Sequence, residues 1–245
     1  MHMEIEIKNP NTMNQADYSA MYKLRYQVFR ERLGWEVKTN EGLEFDEYDQ
    51  LSPVYMLAAD NDSQEIIGCA RLLPTTGGYM LKDIFPILLH GHDAPHDDDI
   101  WEFSRFALMQ ESAGAHCFSL ASASMVAKAL EFALTHNIRQ YVGVTTTAFE
   151  RLLRKSGLEV GRFGPPMLIG IERSVAFYID ITPEQLASVQ SVMQSQLEKQ
   201  AMLNGSNRPA HIGTRPAQLA TRHPQVSSRH TQTLAKHRRI RKSIV

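Results

Sequence analysis

Cysteine is scarce in this chain: there are two in 245 residues, Cys69 and Cys117. They lie far apart and show no metal-ligand spacing, which argues against a disulfide framework or a thiolate metal site. A reducing cytoplasm is the expected setting, and both thiols are read as small buried hydrophobes. No run of about 18 apolar residues occurs, which excludes a helical membrane span. The N-terminal stretch MHMEIEIKNPN alternates apolar and charged residues and lacks the apolar core of a secretory signal, so export is not expected. No internal repeat is visible. Acidic residues are missing from position 201 onward, where nine basic ones stand: Arg208, Arg215, Arg222, Arg229, Lys236, Arg238, Arg239, Arg241 and Lys242. Residues 1–200 therefore hold 17 bases against 27 acids, a net charge of −10. An acidic body carries a basic tail.

What remains is globular in composition, with 43% hydrophobic and 22% charged residues, enough for one good-sized core. Met3–Lys8 alternates like an edge strand, and residues 14–33 repeat apolar side chains at helical spacing up to Gly34. Residues 36–53 are polar and acidic with no period and read as one long loop, a feature that is usually functional or disordered. Residues 54–59 and 65–73 read as paired strands around Asp60-Asn61-Asp62-Ser63. A short apolar segment covers 81–89, a polar loop 90–99 and a strand 100–108. A strong helix spans 118–135, followed by a strand over 139–144 and a short helix over 148–155 that stops at Gly157. Strands are predicted over 158–163 and 168–181. Thr182-Pro183-Glu184-Gln185 then opens a last helix that fades near Leu203.

The segment Trp101-Glu102-Phe103-Ser104-Arg105-Phe106 is the most informative. Strand alternation predicts Trp101, Phe103 and Arg105 on one face and Glu102, Ser104 and Phe106 on the other. Such charges are costly to bury without partners. Upstream, acids and bases cluster beside aromatics, a pattern that suits a polar cleft for a small zwitterion.

The element order implies the α/β (α+β) class: one domain with a mixed β-sheet flanked by helices on both faces. It resembles the N-acetyltransferase fold. In that fold a Gln/Arg-x-x-Gly-x-Gly/Ala loop wraps a pyrophosphate. Here the corresponding segment is Gln110-Glu111-Ser112-Ala113-Gly114-Ala115, and Ala113 replaces the first glycine, so its Cβ obstructs close backbone approach.

Four blocks resemble the LuxI-type acyl-homoserine-lactone synthases, the autoinducer synthases of quorum sensing. They are Arg25-Tyr26-Gln27-Val28-Phe29-Arg30-Glu31-Arg32-Leu33-Gly34-Trp35, Glu44-Phe45-Asp46-Glu47-Tyr48-Asp49, Gly68-Cys69-Ala70-Arg71-Leu72-Leu73-Pro74-Thr75-Thr76 and the strand with Glu102 and Arg105. The eight signature positions, Arg25, Phe29, Trp35, Asp46, Asp49, Arg71, Glu102 and Arg105, are all matched, over roughly residues 18–180. The resemblance implies a synthase domain over 1–182, a helix over 183–203 and a basic low-complexity tail over 204–245, expected to be disordered. It implies S-adenosylmethionine as amine donor, acylated acyl carrier protein as acyl donor and methylthioadenosine as by-product. No cofactor and no metal are expected, since S-adenosylmethionine is a substrate.

By that resemblance Glu102, Arg105, Asp46 and Asp49 are the catalytic set, with Glu102 the base that takes the amine proton through water. Arg25, Phe29, Trp35, Arg71 and Phe103 would bind S-adenosylmethionine, the aromatics by stacking and cation–π contact. An oxyanion at the thioester would need backbone N–H donors at a break between strands. The acyl chain would run past Met80, Leu120, Met125, Thr145, Thr146, Phe149 and Leu152, beside the small residues Ala121, Ala123 and Ala127. A medium-to-long chain is expected. A threonine at 145 or 146 suits a 3-oxo group, with helix capping as the alternative role. Arg151, Arg154 and Lys155, with Arg139 nearby, would receive an acidic carrier. The tail is a second candidate, for steering toward the carrier or toward nucleic acid; a nucleic-acid partner is not otherwise expected, and the basic tail leaves it open. The histidines and acids of 90–99 imitate a metal site in irregular spacing. Two other readings stay open: a coenzyme A–dependent N-acyltransferase, which Ala113 disfavours, and a non-catalytic carrier-binding regulator, which has no need of Glu102 and the arginines.

Overall fold

The computed structural model describes residues 3–109 and 115–205. Met3–Lys8 (β1) is an edge strand whose Met3, Ile5 and Ile7 pack on the core while Glu4 and Glu6 stay exposed. Gln15–Arg25 (α1) starts on a capping box: the Asn14 side chain accepts from the Asp17 N–H at 2.9 Å, and the Asp17 carboxylate accepts from the Asn14 N–H at 3.2 Å. The predicted single helix to 33 is divided. After Arg25 the chain winds through a π-helical turn, Tyr26–Arg32, and leaves at Gly34, whose φ is +70°. Such wide turns are rare and gather at functional sites.

The predicted loop 36–53 also has structure. Thr39–Asn40 (β2) pairs with Leu43–Glu44 (β3) through Glu41 and Gly42 at φ +50° and +80°, the left-handed pair a tight hairpin requires. A 3-10 turn, Glu47–Gln50, follows. Val54–Asp60 (β4) and Ile66–Pro74 (β5) form the expected hairpin. Met80–Asp83 (α2) and a 3-10 turn at Pro86–Leu89 precede Ile100–Leu108 (β6). Ala115–Thr135 (α3), Gln140–Thr146 (β7) and Thr147–Lys155 (α4) come next.

The predicted strand 158–163 shrinks to Gly161–Arg162 (β8). The predicted strand 168–181 folds back on itself as Met167–Ile169 (β9) and Glu172–Asp180 (β10), because Gly170 turns the chain at φ +59°. Pro183–Gly205 (α5) begins on Thr182, whose hydroxyl accepts from the Gln185 N–H at 3.2 Å. The tail from 206 and the Gln110–Gly114 part of the loop after β6 lie outside the described residues. No helix among the described residues is long and apolar enough to cross a membrane.

The sheet runs β1-β4-β5-β6-β7-β10-β8, with β9 on β10. Its pairs are antiparallel except β6 with β7, which are parallel and matched only over Ile100–Glu102 and Gln140–Val142. Beyond Phe103 and Gly143 the two strands part. At that point a side chain on residue 143 would meet the Phe103 carbonyl at 2.6 Å, so only glycine fits there. One face of the sheet, with α3 and α5, buries Met56, Leu72, Phe103, Leu108, Met125, Leu130, Phe177 and Val189. The other carries α1 and the π turn over Tyr55, Leu57 and Cys69, and α2, through Leu81, against Ile100 and Val142.

Alternation along β6 is broken, which corrects the predicted faces. Cys69 pairs with Ala107 but Arg71 with Ser104, so β6 holds one extra residue, and Arg105 takes φ +51°. This bulge turns Arg105 to the face of Glu102 and Ser104, and turns Phe106 to the face of Phe103, their rings 5.9 Å apart.

Candidate functional site

Three elements bring charges under α1. Arg25 ends α1, Arg71 lies in β5 and Arg105 sits on the β6 bulge. The hairpin and turn of 39–50 supply Glu44, Asp46 and Asp49. Arg25 grips Asp49 with both terminal nitrogens, at 2.8 and 3.0 Å, and its Nε donates to Glu44. Arg71 donates from Nη2 to Asp46 at 3.1 Å, from Nη1 to Asp49 at 2.9 Å and from Nε to Ser104 Oγ at 3.3 Å. Arg105 reaches Asp46 at 2.7 Å and Glu44 at 3.0 Å. Tyr55 donates to Asp49 at 2.7 Å. Arg25, Arg71 and Glu44 are 0% exposed. Burial opposes the charge of Arg25, but Glu44 and Asp49 outweigh it and raise its pKa. Burial would likewise raise Asp49, yet Arg25 and then Arg71 hold its carboxyl below the usual range. Asp46 also caps the 3-10 turn, accepting from the Tyr48 N–H at 3.0 Å.

Glu102 stands apart in this group. It is fully buried, and its two oxygens accept from the backbone N–H groups of Leu81 at 2.8 Å and Met80 at 3.2 Å. No arginine pairs with it among the described residues. Burial pushes its pKa up, with Leu81, Met80, the charge of Arg71 and Ser104 pulling back part of the way. Phe29 and Trp35 stack at 5.4 Å and 5°, and Arg105 lies 5.7 Å from the Phe29 ring centre. The Trp35 Nε1 donor is buried without a hydrogen-bond partner among the described residues.

All eight signature residues thus gather on one face, but Phe103 does not. Expected with the amine substrate, it points to the opposite face, because the bulge lies after it. There it lines a narrow apolar hollow with Val126, Ala129, Leu130, Tyr141, Leu153, Leu158 and Ile179. Tyr141 directs its hydroxyl to the Ala129 carbonyl oxygen at 2.9 Å, leaving the wall apolar.

None of the residues predicted for an acyl pocket is in that lining, although most share its elements. Met80 is on the ionic face, its sulfur 2.9 Å from an Arg105 nitrogen. Met125 is buried in the core beside the hollow, Phe149 stacks on Phe106 at 4.9 Å, and Leu120 and Leu152 are half-buried. On α4 it is Leu153, one residue on, that turns fully inward. Thr146 caps α4, its hydroxyl accepting from the Phe149 N–H at 3.2 Å. Thr145, by alternation with Tyr141 and Gly143, faces the hollow's side.

Arg151, Arg154 and Lys155 lie exposed on α4. Arg154 also holds the buried Glu150 at 3.0 Å, together with Arg162. Arg139 is not nearby: it precedes β7, whereas α4 follows it, and it binds Asp97 at 3.1 Å and Asp99 at 2.8 Å. That pairing engages two of the three clustered carboxylates Asp97, Asp98 and Asp99. His90 and His96 contact the backbone oxygens of Pro165 and Thr75.

Sequence reasoning assigned no role to Glu44 or Tyr55. Glu44 lay in plain view beside Asp46, and its signal was the third acid that three arginines require. Tyr55 had none, since a tyrosine in an alternating strand reads as core.

The family described as autoinducer synthase matches residues 9–189. The acyl-homoserine-lactone synthase of Pseudomonas aeruginosa is 41% identical over 196 residues, 79% of this chain and 98% of the relative. That of Vibrio anguillarum is 41% identical over 182 residues, 71% of this chain and 92% of the relative. Among solved structures, the synthase LasI superposes with a TM-score of 0.68 at 40% identity, covering 77% of this chain and 94% of LasI. TofI, in a ternary complex with an inhibitor and MTA, gives 0.67 at 36%, covering 78% and 97%. BjaI, a CoA-dependent acyl-homoserine-lactone synthase with SAM and isopentyl-CoA, gives 0.68 at 26%, covering 79% and 90%. The likeness to an N-acetyltransferase from Lactobacillus plantarum, with a TM-score of 0.51 at 16% identity, is one of fold.

Proposed function

This chain belongs to the autoinducer synthase family, and from that premise we propose how its two-faced sheet carries out acyl-homoserine-lactone synthesis. The enzyme is an acyltransferase with S-adenosylmethionine as amine donor. That donor bears a sulfonium, an ammonium and a carboxylate, a net charge of +1. Within the buried ionic cluster Arg25, Arg71 and Arg105 balance Glu44, Asp46 and Asp49, so the charge left over there is Glu102. The site is thus matched in sign to the substrate. Phe29 and Trp35 hold the adenosyl and sulfonium part, and the free Trp35 N–H offers a donor to it.

The amine must lose a proton before it attacks. A free α-amino group has a pKa of about 7.7–8.0, so a modest push suffices. Glu102 takes that proton through water, and a carboxylate whose pKa burial has raised is a better acceptor than an ordinary one. The nitrogen lone pair then attacks the thioester carbonyl carbon. Backbone N–H groups on the open side of β6 stabilise the oxyanion. The C–S bond breaks, the amide forms and the thiol leaves. In the second step a carboxylate oxygen attacks the γ-carbon, the bond from that carbon to the sulfonium breaks, and neutral methylthioadenosine departs. Ring closure is intramolecular, so holding the chain folded supplies much of the rate, with effective molarities of about 10⁵ M or more for well-oriented pairs.

The acyl chain enters between β6 and β7 where they part, and lies in the hollow behind Phe103. A medium-to-long chain suits this apolar lining. Because the Thr146 hydroxyl caps α4, a 3-oxo group would bond Thr145. Arg151, Arg154 and Lys155 meet an acidic acyl carrier protein, and synthesis takes place in the cytoplasm, where both substrates are made. The observation that carries this reading is a buried, arginine-free carboxylate beside a gap in the sheet. Its test is purified enzyme given S-adenosylmethionine with acylated carrier protein or acyl-CoA over a series of chain lengths, with and without a 3-oxo group. Mass spectrometry should find lactone and methylthioadenosine with the carrier-bound, longer donors. Turnover with acyl-CoA alone would overturn the carrier assignment.

A further inference from the structure

Arg32 closes the π-helical turn, and its Nη1 donates to the carbonyl oxygen of Leu108 at 2.9 Å. That carbonyl has a definite direction. The Met109 N–H donates to Ile67 at 2.7 Å, so the backbone of Met109 faces β5. Along a strand successive residues turn their backbone groups to opposite edges, so the Leu108 carbonyl faces the other way, into the gap where β7 has parted from β6. Arg32 is therefore anchored at the far end of that gap. It makes no ion pair among the described residues, unlike Arg25, Arg71 and Arg105. Part of its surface stays open to solvent, and burial of the remainder lowers its pKa. A guanidinium with one nitrogen fixed on a carbonyl keeps several N–H groups for an anion, and planar, paired recognition of phosphate is what this group does well.

The position along the strand says which anion. From Glu102 to Leu108 β6 runs alongside five residues of β5, Leu73 to Gly68, because the bulge takes up one residue, so the span is roughly 16–17 Å at about 3.3 Å each. A thioester held beside Glu102, with its carrier arm lying in the gap along β6, would bring the phosphate of an extended phosphopantetheine arm to Arg32. We propose that Arg32 binds the phosphate of the acyl donor's phosphopantetheine arm and so sets the reach of the thioester into the site. The phosphate is common to acyl carrier protein and coenzyme A. With Ala113 disfavouring backbone wrapping in the loop after β6, a side-chain cation supplies the contact instead. This inference rests on the thioester entering between β6 and β7.

The test compares two small donors, acyl-pantetheine and acyl-4′-phosphopantetheine, in the wild type and in Arg32→Gln, which keeps a polar side chain but lacks the charge. The wild type should prefer the phosphorylated donor in kcat/KM. Arg32→Gln should reduce that preference about tenfold, the size of one charge-assisted contact. The ratio is internal to each protein, so a variant that merely folds less well leaves it unmoved. Arg30→Gln, which removes an equal charge two residues away at the Trp35 carbonyl, should leave the ratio at the wild-type value. An unchanged ratio in Arg32→Gln overturns the proposal. A wild type that turns over neither pantetheine donor but works with intact carriers would instead overturn the gap as entry route. Repeating the comparison with acyl carrier protein and acyl-CoA then assigns the phosphate: a matching KM rise for one donor or both names the source.

Discussion

On one face of β6, Glu102, Ser104 and Arg105 stand among buried charges; on the other, Phe103, Phe106 and Leu108 stand among α3, α5 and an apolar hollow. The two faces are held by different physics. The apolar face gains roughly 1.5–3 kcal/mol for each large side chain fully buried, whatever its neighbour. The ionic face gains little net, since desolvation offsets attraction, but it loses heavily when one member is removed. Packing is therefore tolerant and additive on one side and all-or-none on the other. This division suits a reaction that must position a small, charged amine in one way only and accommodate a chain of methylenes behind it.

The sharpest way to break the comparison is Arg25→Met. It strands Glu44 and Asp49 without their partner and should cost about 3–5 kcal/mol of stability in a urea titration. A loss below about 1 kcal/mol would mean the ionic face is no more demanding than the surface. Next is Glu102→Gln, which should lower kcat about 100-fold or more, read as methylthioadenosine release, and cost about 1–3 kcal/mol of stability, because the amide offers only one acceptor oxygen to the N–H groups of Leu81 and Met80. Its pH dependence has a definite sign. Burial raises the folded pKa of Glu102, so the wild-type carboxyl binds its proton more tightly when folded, and that contribution is lost as pH rises from the unfolded value through the folded one. The variant should thus gain on the wild type over that window and show a flat difference below it; a difference that moves the other way would contradict the raised pKa. Asp49 acts oppositely: its lowered pKa supplies stability that is present above its unfolded value and lost as acid carries the protein down through the folded one.

On the apolar face, Ala129→Leu fills the hollow. Overpacking there should cost about 1–3 kcal/mol of stability, while the ratio of long-chain to short-chain lactone falls about tenfold by mass spectrometry. An unaltered product profile would move the acyl chain elsewhere. The smallest expected effect sharpens the role of the paired threonines. Thr146→Ala should cost about 1 kcal/mol, as for a lost helix cap, and leave any 3-oxo preference intact. Thr145→Val should do the reverse.

Much of the fold was legible because its signals are local. The capping box at Asn14, the turn at 60–63 and the alternation of β4 and β5 each lie within a few residues. What misled was also local. Gly170 reads as one more residue in an apolar strand until its positive φ folds the strand back, and Tyr26 through Arg32 reads as ordinary helix although it winds as a π turn. In the site, the identities of Arg25, Arg71, Glu102 and Arg105 could be picked out, yet the structure puts Phe103 on the apolar face, away from them, and Met80 on the ionic face. The facing of Arg105 and Phe106 was missed by treating β6 as a regular strand, and that of Met80 because nothing local says on which side of the sheet α2 packs.

By itself the chain determined the kinds of groups available: a balanced set of arginines and acids, an additional glutamate, two aromatics to stack and a small-residue helix to pack. Those are matters of covalent inventory and short-range period, and they need no partner to be read. Which acid meets which arginine was decided only by the tertiary structure, because the pairs lie up to 61 residues apart in Arg105 and Glu44. So was the facing of Arg105. A single unmatched residue against β5 turns it through the sheet, and only the pairing of two distant strands can create such a mismatch.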